Sequence, residues 1–451
     1  RHRMFVAKNA WAELRRHPWR TALMVIVSLL VTMWSVFGAA VMHEYHAAHG
    51  EGYEALKPQA VVRMTDTALS DRNGDDADWT KRYITWNEYN VLGAAAQAKQ
   101  VQFDYSVVAS VPVRSTDSFK AITTSATSGA GQNETGGDFT LTSFYNEAAV
   151  AANEYGSFKV VEGTKLNYQD VTARDVLISQ ELAKKNNLKV GSTITIGNPA
   201  NAKTTYTFTV GGIYTYTSTP QGVQGDDAQF AKDNRNNVIY TSYYDFAASG
   251  LDTTEGSGWA VPDINIVFTL ANPQAYEQFK SALKPDLPEG FAVSSPTITA
   301  YERSLEPLDQ LANTTKIMLI CLWGVGGALA LLLTLLEVCP RREEIGYGLA
   351  VGVTKSRMAW QFMLEILLQT VVGVALGLLI GGWTANPLAT QLAQGHTIAM
   401  HGGVLWNVTW IALLACLLLA IIAGVRVALF RTAQLAHSPY LNSADPTTKE
   451  Q

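Results

Sequence analysis

Charge is scarce in this 451-residue chain: Asp, Glu, Lys and Arg make up 16% of it, against roughly 25% in soluble domains. Cysteine is scarcer still. Cys321, Cys339 and Cys416 all lie in or beside apolar stretches, and the long polar middle has none. That middle therefore folds without a disulfide, and cysteine usage leaves its redox compartment open. No stretch matches G-x-x-x-x-G-K-[ST], so the sequence holds no loop of the kind that cradles nucleotide phosphates. The polar middle also lacks a Ser/His/Asp or Cys/His set, so no catalytic residue, metal or bound cofactor is expected. A net charge of −5 gives no reason to expect a nucleic-acid partner.

Hydrophobic residues, 47% of the chain, are concentrated near the N-terminus and over the last third. About 20 apolar residues at 1.5 Å each cross a hydrocarbon core. Four stretches qualify: Thr21 to Met42, Ile317 to Leu336, Met358 to Trp383 and Val404 to Val425. Only the third carries a charge, Glu365. The first could be a signal peptide, with Phe37-Gly38-Ala39-Ala40 resembling a cleavage site, but its apolar run is too long for one. An anchor is the reading adopted.

Lys and Arg in short flanks orient the spans. Arg1, Arg3, Lys8, Arg15, Arg16 and Arg20 precede the first; Arg341, Arg342, Lys355 and Arg357 separate the second and third; Arg426 and Arg431 follow the fourth. The loop from Thr384 to Gly403 has neither Lys nor Arg. Both termini are expected in the cytoplasm of a multi-pass protein. The expected order is a basic cytoplasmic helix (1–20), a first span (21–42), an extracytoplasmic domain (43–315) and a second span (316–337). A cytoplasmic segment (338–357), a third span (358–383), an outer loop (384–403), a fourth span (404–426) and a cytoplasmic tail (427–451) complete it.

The outer domain reads as two strand–helix–strand halves, 43–120 and 261–312. The first runs Gln59 to Met64, Thr85 to Ala98 and Val101 to Val113; the second runs Ile264 to Leu270, Pro273 to Leu283 and Phe291 to Ser295. Asn272 caps the second helix, with Pro273 at its first position. Two such halves predict a split, ferredoxin-like α+β unit beside the α-helical membrane part. Residues 121–260 read as an inserted β-rich subdomain with two polar loops, Thr123 to Gly137 and Ser218 to Asn237, either ligand-binding or simply solvated.

Three features could carry function. Glu365, about two turns into its span, is either functional or snorkels to the interface. Gly373, Gly377 and Gly381 recur every fourth residue and admit a close helix, from this chain or another. His43, His46, His49, His396 and His401 all fall on the outer membrane side, but their spacing matches no metal or haem motif, and wet histidines are the better reading.

Several stretches resemble one family. Lys8-Asn9-Ala10 through Leu14-Arg15-Arg16 and Trp19-Arg20-Thr21 form a basic lead into the first span. Val176 through Lys185, then Leu188 through Ile196 and Phe208 through Ile213, follow in the outer domain. Arg341 through Gly346, Leu349 through Val353, then Gln361-Phe362, Glu365, Gly373 and Gly377, follow the second span. Together they resemble the FtsX/MacB-type ABC permeases, the type VII or mechanotransmission class, with a MacB-like periplasmic core domain and a porter-type unit. Cys339-Pro340, Tyr347-Gly348 and the tail from Ala436 to Gln451 depart from that pattern.

The resemblance implies a bacterial inner (cytoplasmic) membrane protein that works with a cytoplasmic ABC ATPase dimer and a second permease chain, identical or homologous. ATP and Mg would sit on the ATPase, and this chain would not be an enzyme. Arg341, Arg342, Glu343, Glu344, Ile345, Gly346, Leu349 and Gly352 would form the ATPase-coupling element, with Ile345 and Leu349 as apolar anchors. Further partners would be membrane lipid and an extracytoplasmic peptide or protein; the substrate-binding residues stay open. Export of peptides, antibiotics or other amphiphiles is the implied function. The alternatives are mechanical regulation of a cell-wall hydrolase or sensor, lipoprotein extraction, and a membrane-anchored binding protein without an ATPase.

Overall fold

The computed structural model of the protein describes residues 2–170 and 173–430. Arg1, Arg431 and the rest of the expected tail beyond it lie outside the described residues. Two compact units divide the chain, a helical unit from its two ends and a sheet domain from Gly52 to Arg303.

The sheet domain holds β1 (Gln59–Met64), β2 (Asp104–Val113), β3 (Phe139–Phe144), β4 (Phe158–Gly163) and β5 (Asp175–Ser179). β6 (Thr193–Gly197), β7 (Thr205–Tyr216), β8 (Val238–Ser242), β9 (Asp263–Thr269) and β10 (Phe291–Ser294) follow. They form one sheet in the order β10-β1-β9-β2-β3-β8-β5-β7-β4, with β6 also on β7. The four strands β10-β1-β9-β2 are antiparallel throughout, the order of a split strand–helix–strand repeat. Helices Trp86–Ala98 and Pro273–Leu283 connect each pair.

Local chemistry starts both helices. Thr85 accepts from the Glu88 amide at 3.3 Å while the Glu88 carboxylate accepts from the Thr85 amide at 2.7 Å, a reciprocal cap. Asn272 Oδ1 accepts from the Ala275 amide at 2.8 Å, with Pro273 next to it. Tyr89, Leu92 and Ala96 of one helix and Tyr276, Phe279 and Leu283 of the other are buried in one core with the inner strand residues. Phe268 of β9 joins them, its ring 4.9 Å from Phe279 and 5.1 Å from Phe103.

The insertion does not stand apart. β3 pairs with the free edge of β2 from Val108↔Phe144 to Val113↔Phe139, so the ladder continues through it. An uncovered ten-residue edge strand would leave a row of amides and carbonyls unpaired. The first polar loop is likewise tied down: it contains a helical turn, Gln132–Thr135, and Thr124 Oγ1 donates to Asp226 O of the second loop at 2.7 Å. Gly136, at φ +79°, lies under Trp259, whose Cβ would be 2.6 Å from an added methyl.

Among the described residues, His2–Arg16 is followed by four helices long and apolar enough to cross a membrane. Pro18–His49, Lys355–Leu392 and Gly402–Ala428 are the first, third and fourth. The second, Pro296–Val338, starts well before its apolar stretch because Glu302, Arg303, Glu306 and Asp309 extend it as a polar helix. It ends at a tight turn, Cys339–Arg341, where Pro340 occupies a starting position that needs no amide donor. A short helix, Arg342–Ala350, follows at once.

Candidate coupling site

Arg341 ties three segments of the helical unit together. Its Nε and Nη2 donate to the two carboxylate oxygens of Glu344 at 2.7 and 2.8 Å, and its Nη1 donates to Glu365 Oε2 at 2.5 Å. Glu13 of the N-terminal helix stands 3.9 Å from Nε. The guanidinium also lies over the Phe362 ring, 4.3 Å from its centroid. A planar fork with five donors suits such a junction; a lysine would hold one partner at a time.

Glu365 is 2% exposed, so it does not snorkel. Its Oε1 accepts from Gln361 Nε2 at 3.3 Å, one helical turn earlier. One turn further along, Gln369 Nε2 donates to Glu337 at 3.3 Å, at the end of the second helix. Burying these groups in apolar surroundings is tolerable because each charge has a partner. Sequence reading missed Glu13, Glu337 and Gln369. Glu337 ends an apolar run and Gln369 follows a run of Leu, which were the available signals.

The short helix presents a different face from the one expected. Ile345 is 1% exposed, packed with Met24, Met358 and Phe362, and Leu349 is partly buried against the same cluster. Ile345 therefore anchors the helix to its own chain, and Leu349 does so in part. Tyr347, 75% exposed, and Val351 at the C-terminal cap, 66% exposed, are the apolar side chains offered instead, with Arg342, Glu343 and Glu344 also exposed on the helix. Gly346 is half-buried. Gly352, at φ +93°, ends the helix: Val353 N donates to Gly348 O at 2.9 Å and Gly352 N to Leu349 O at 3.2 Å.

Gly373, Gly377 and Gly381 are buried against the first long helix. An added Cβ would lie 2.4 Å from Ser28 Cβ at Gly373, 2.7 Å from Leu29 O at Gly377 and 3.0 Å from Val36 Cβ at Gly381. The close neighbour is therefore a helix of the same chain.

The histidines disperse. His396 Nε2 is 3.0 Å from Glu44, His49 Nε2 is 3.2 Å from Asp309, and the His43 and His401 rings are 4.7 Å apart. Among the described residues no group of three or more His, Cys, Asp or Glu side chains is placed to hold a metal ion.

Four apolar helices, a split antiparallel core extended by an inserted sheet, and a charged junction after the second helix are thus on one chain. Residues 22–286, more than half of it, match the profile of the MacB-like periplasmic core domain. Residues 316–432 match the FtsX-like permease C-terminal profile. The chain belongs to the FtsX/MacB-type ABC permease family. An uncharacterized ABC transporter permease, YclI of Bacillus subtilis, is 26% identical over 54% of this chain and 49% of its own length. The macrolide export ATP-binding/permease protein MacB of Escherichia coli is 28% identical over 27% of this chain and 18% of its own. The chain therefore spans about half the length of one relative and under a fifth of the other. Within this FtsX/MacB-type chain, the matched C-terminal segment contains the whole Arg341–Gly352 element and all three close-packing glycines.

Proposed function

We propose that this chain is the membrane permease of an ATP-driven system, with a separate cytoplasmic ABC ATPase dimer carrying ATP and Mg and a second permease chain completing the assembly. Its two ends lie in the cytoplasm of a bacterial cell and its sheet domain lies outside the inner membrane, as the basic flanks of the spans favour. The helix Arg342–Ala350 docks on the ATPase through Tyr347 and Val351. Arg341 then passes displacement of that helix to the third span through Glu365, and the sheet domain moves peptides, antibiotics or other amphiphiles.

One observation carries this reading: an exposed tyrosine on a short helix and an exposed valine at its C-terminal cap stand beside a root held by a buried charged fork. Exposed aromatic side chains ringed by charge are frequent interface anchors. Tyr347→Ala is expected to weaken ATPase association at least about tenfold, with thermal unfolding of the permease unchanged. Co-purification from nanodiscs and ATP turnover measure both. Equal association of the variant and the wild type would remove the docking face. Turnover that ignores amphiphiles but rises with an added wall hydrolase would move the function to mechanical regulation.

A further inference from the structure

The sheet domain contains a cavity of about 890 Å³, the size of a drug-like ligand site. Its wall combines charged and aromatic side chains, and its cations are already engaged. Arg72 and Asp233 form a two-bond ion pair at 2.7 and 2.9 Å. Lys232 donates to Gly74 O at 2.7 Å and Thr135 O at 2.6 Å, and its ammonium sits 3.4 Å from the Trp259 ring centroid. Arg63 donates to Ala152 O.

Two of the acidic side chains lack such an ion pair. Asp263 and Glu154 line the same cavity, and neither forms an ion pair with a described Lys or Arg, whereas Arg72–Asp233 does. Gln224 lines it too, and its buried Oε1 meets no donor among the described residues. An anion would find every cation in use. A cation with N–H donors would find two carboxyl groups without an ion pair, one of them hydrogen-bonded to Asn265, an idle carbonyl and rings to cover its apolar body.

We propose that this cavity binds an organic cation, a protonated amine on an aromatic or aliphatic frame, held by Asp263 and Glu154. As a substrate assignment this rests on the permease reading; as a binding site it does not. The carboxyl of Asp263 supports it: burial, then Glu154, push it up to about 7 against the pull of Arg72 and Arg63. Burial also draws the Lys232 ammonium down to about 7. Both groups therefore shed a proton as the pH rises through neutrality, and each loss makes the cavity more negative. Affinity for a cation rises in that direction, and binding near neutrality releases a proton.

The test is calorimetric titration of the full chain in zwitterionic nanodiscs, without ATPase, with empty nanodiscs as the blank. The probes are 1-naphthylmethylamine, 1-naphthylmethanol and 1-naphthoate. The amine is expected to bind at least about tenfold more tightly than the alcohol or the carboxylate. Asp263→Asn is expected to weaken it by about tenfold, and Glu154→Gln, at an exposed residue, by less. Heat of binding at neutral pH is expected to vary with the ionisation enthalpy of the buffer. Should Asp263→Asn fail to fold, Glu154→Gln carries the comparison. Absence of binding at millimolar amine, equal binding of the three probes, preference for naphthoate, or variants indistinguishable from the wild type would each overturn the proposal. Because no ATPase is present, such a failure leaves the coupling reading intact, and loss of coupling in the turnover assay leaves the cavity intact.

Discussion

Glu365→Ala is expected to destabilise the helical unit by about 3 kcal/mol, the lower end of the cost of breaking a buried ion pair. The Glu365 side chain is 3% exposed and that of Arg341 9%, so water cannot replace the lost carboxylate. The lower end applies because Arg341 keeps both bonds to Glu344. Gln361 loses its acceptor as well, which adds to the cost. Glu365→Gln retains an acceptor oxygen and is expected to lose less. Replacing both partners, as in Arg341→Met/Glu365→Met, is expected to restore part of the stability, because neither member of the pair is left charged without the other, although Glu337 and Glu13 lose the nearby cation. Thermal unfolding in nanodiscs orders the four proteins. If the single and double variants unfold together, the pair is not the constraint described.

Gly373→Leu is expected to cost still more, over about 3 kcal/mol, since overpacking here meets backbone as well as side chains. The first Cβ alone would be 2.4 Å from Ser28 Cβ and 2.7 Å from Val25 O. Relief requires moving the first long helix away along its length, which also breaks the fits at Gly377 and Gly381. The control is Gly327→Leu in the second helix, where nothing lies within 4 Å of an added Cβ. Folded yield and melting temperature should separate the two variants. A Gly373→Leu chain that behaves like Gly327→Leu would refute the close approach of the first and third helices.

The four apolar helices were legible because hydrocarbon thickness demands long uncharged runs. The polar start of the second helix was not, since hydropathy ignores a helix that carries Glu302 and Arg303. In the sheet domain the flanking halves were legible through Asn272-Pro273 and the strand–helix–strand order that each repeats. β3 was hidden: Phe-Thr-Leu-Thr-Ser-Phe is wholly buried, yet three of its six residues are polar. Thr142 and Ser143 are tolerated there because they bond to Ser110 Oγ and Ala109 O, partners that only the tertiary fold supplies. The charged junction was half legible. Arg341, Glu344 and Glu365 stood out as charges beside a membrane, but no periodicity says that one fork joins them. The facing of the short helix was misjudged for a similar reason. Ile345 and Tyr347 are two positions apart and lie on different sides of a helix, and which side meets Met24 and Met358 depends on the turn at Pro340.

The most direct measurement is site-specific photocrosslinking from position 347 in the full chain co-expressed with the proposed ATPase. A benzophenone side chain replaces Tyr347, and a second protein carries it in place of Trp383, near the far end of the third helix. The account predicts a nucleotide-sensitive crosslink to the ATPase from position 347 and none from position 383. No crosslink from position 347, or equal crosslinking from both, would contradict it.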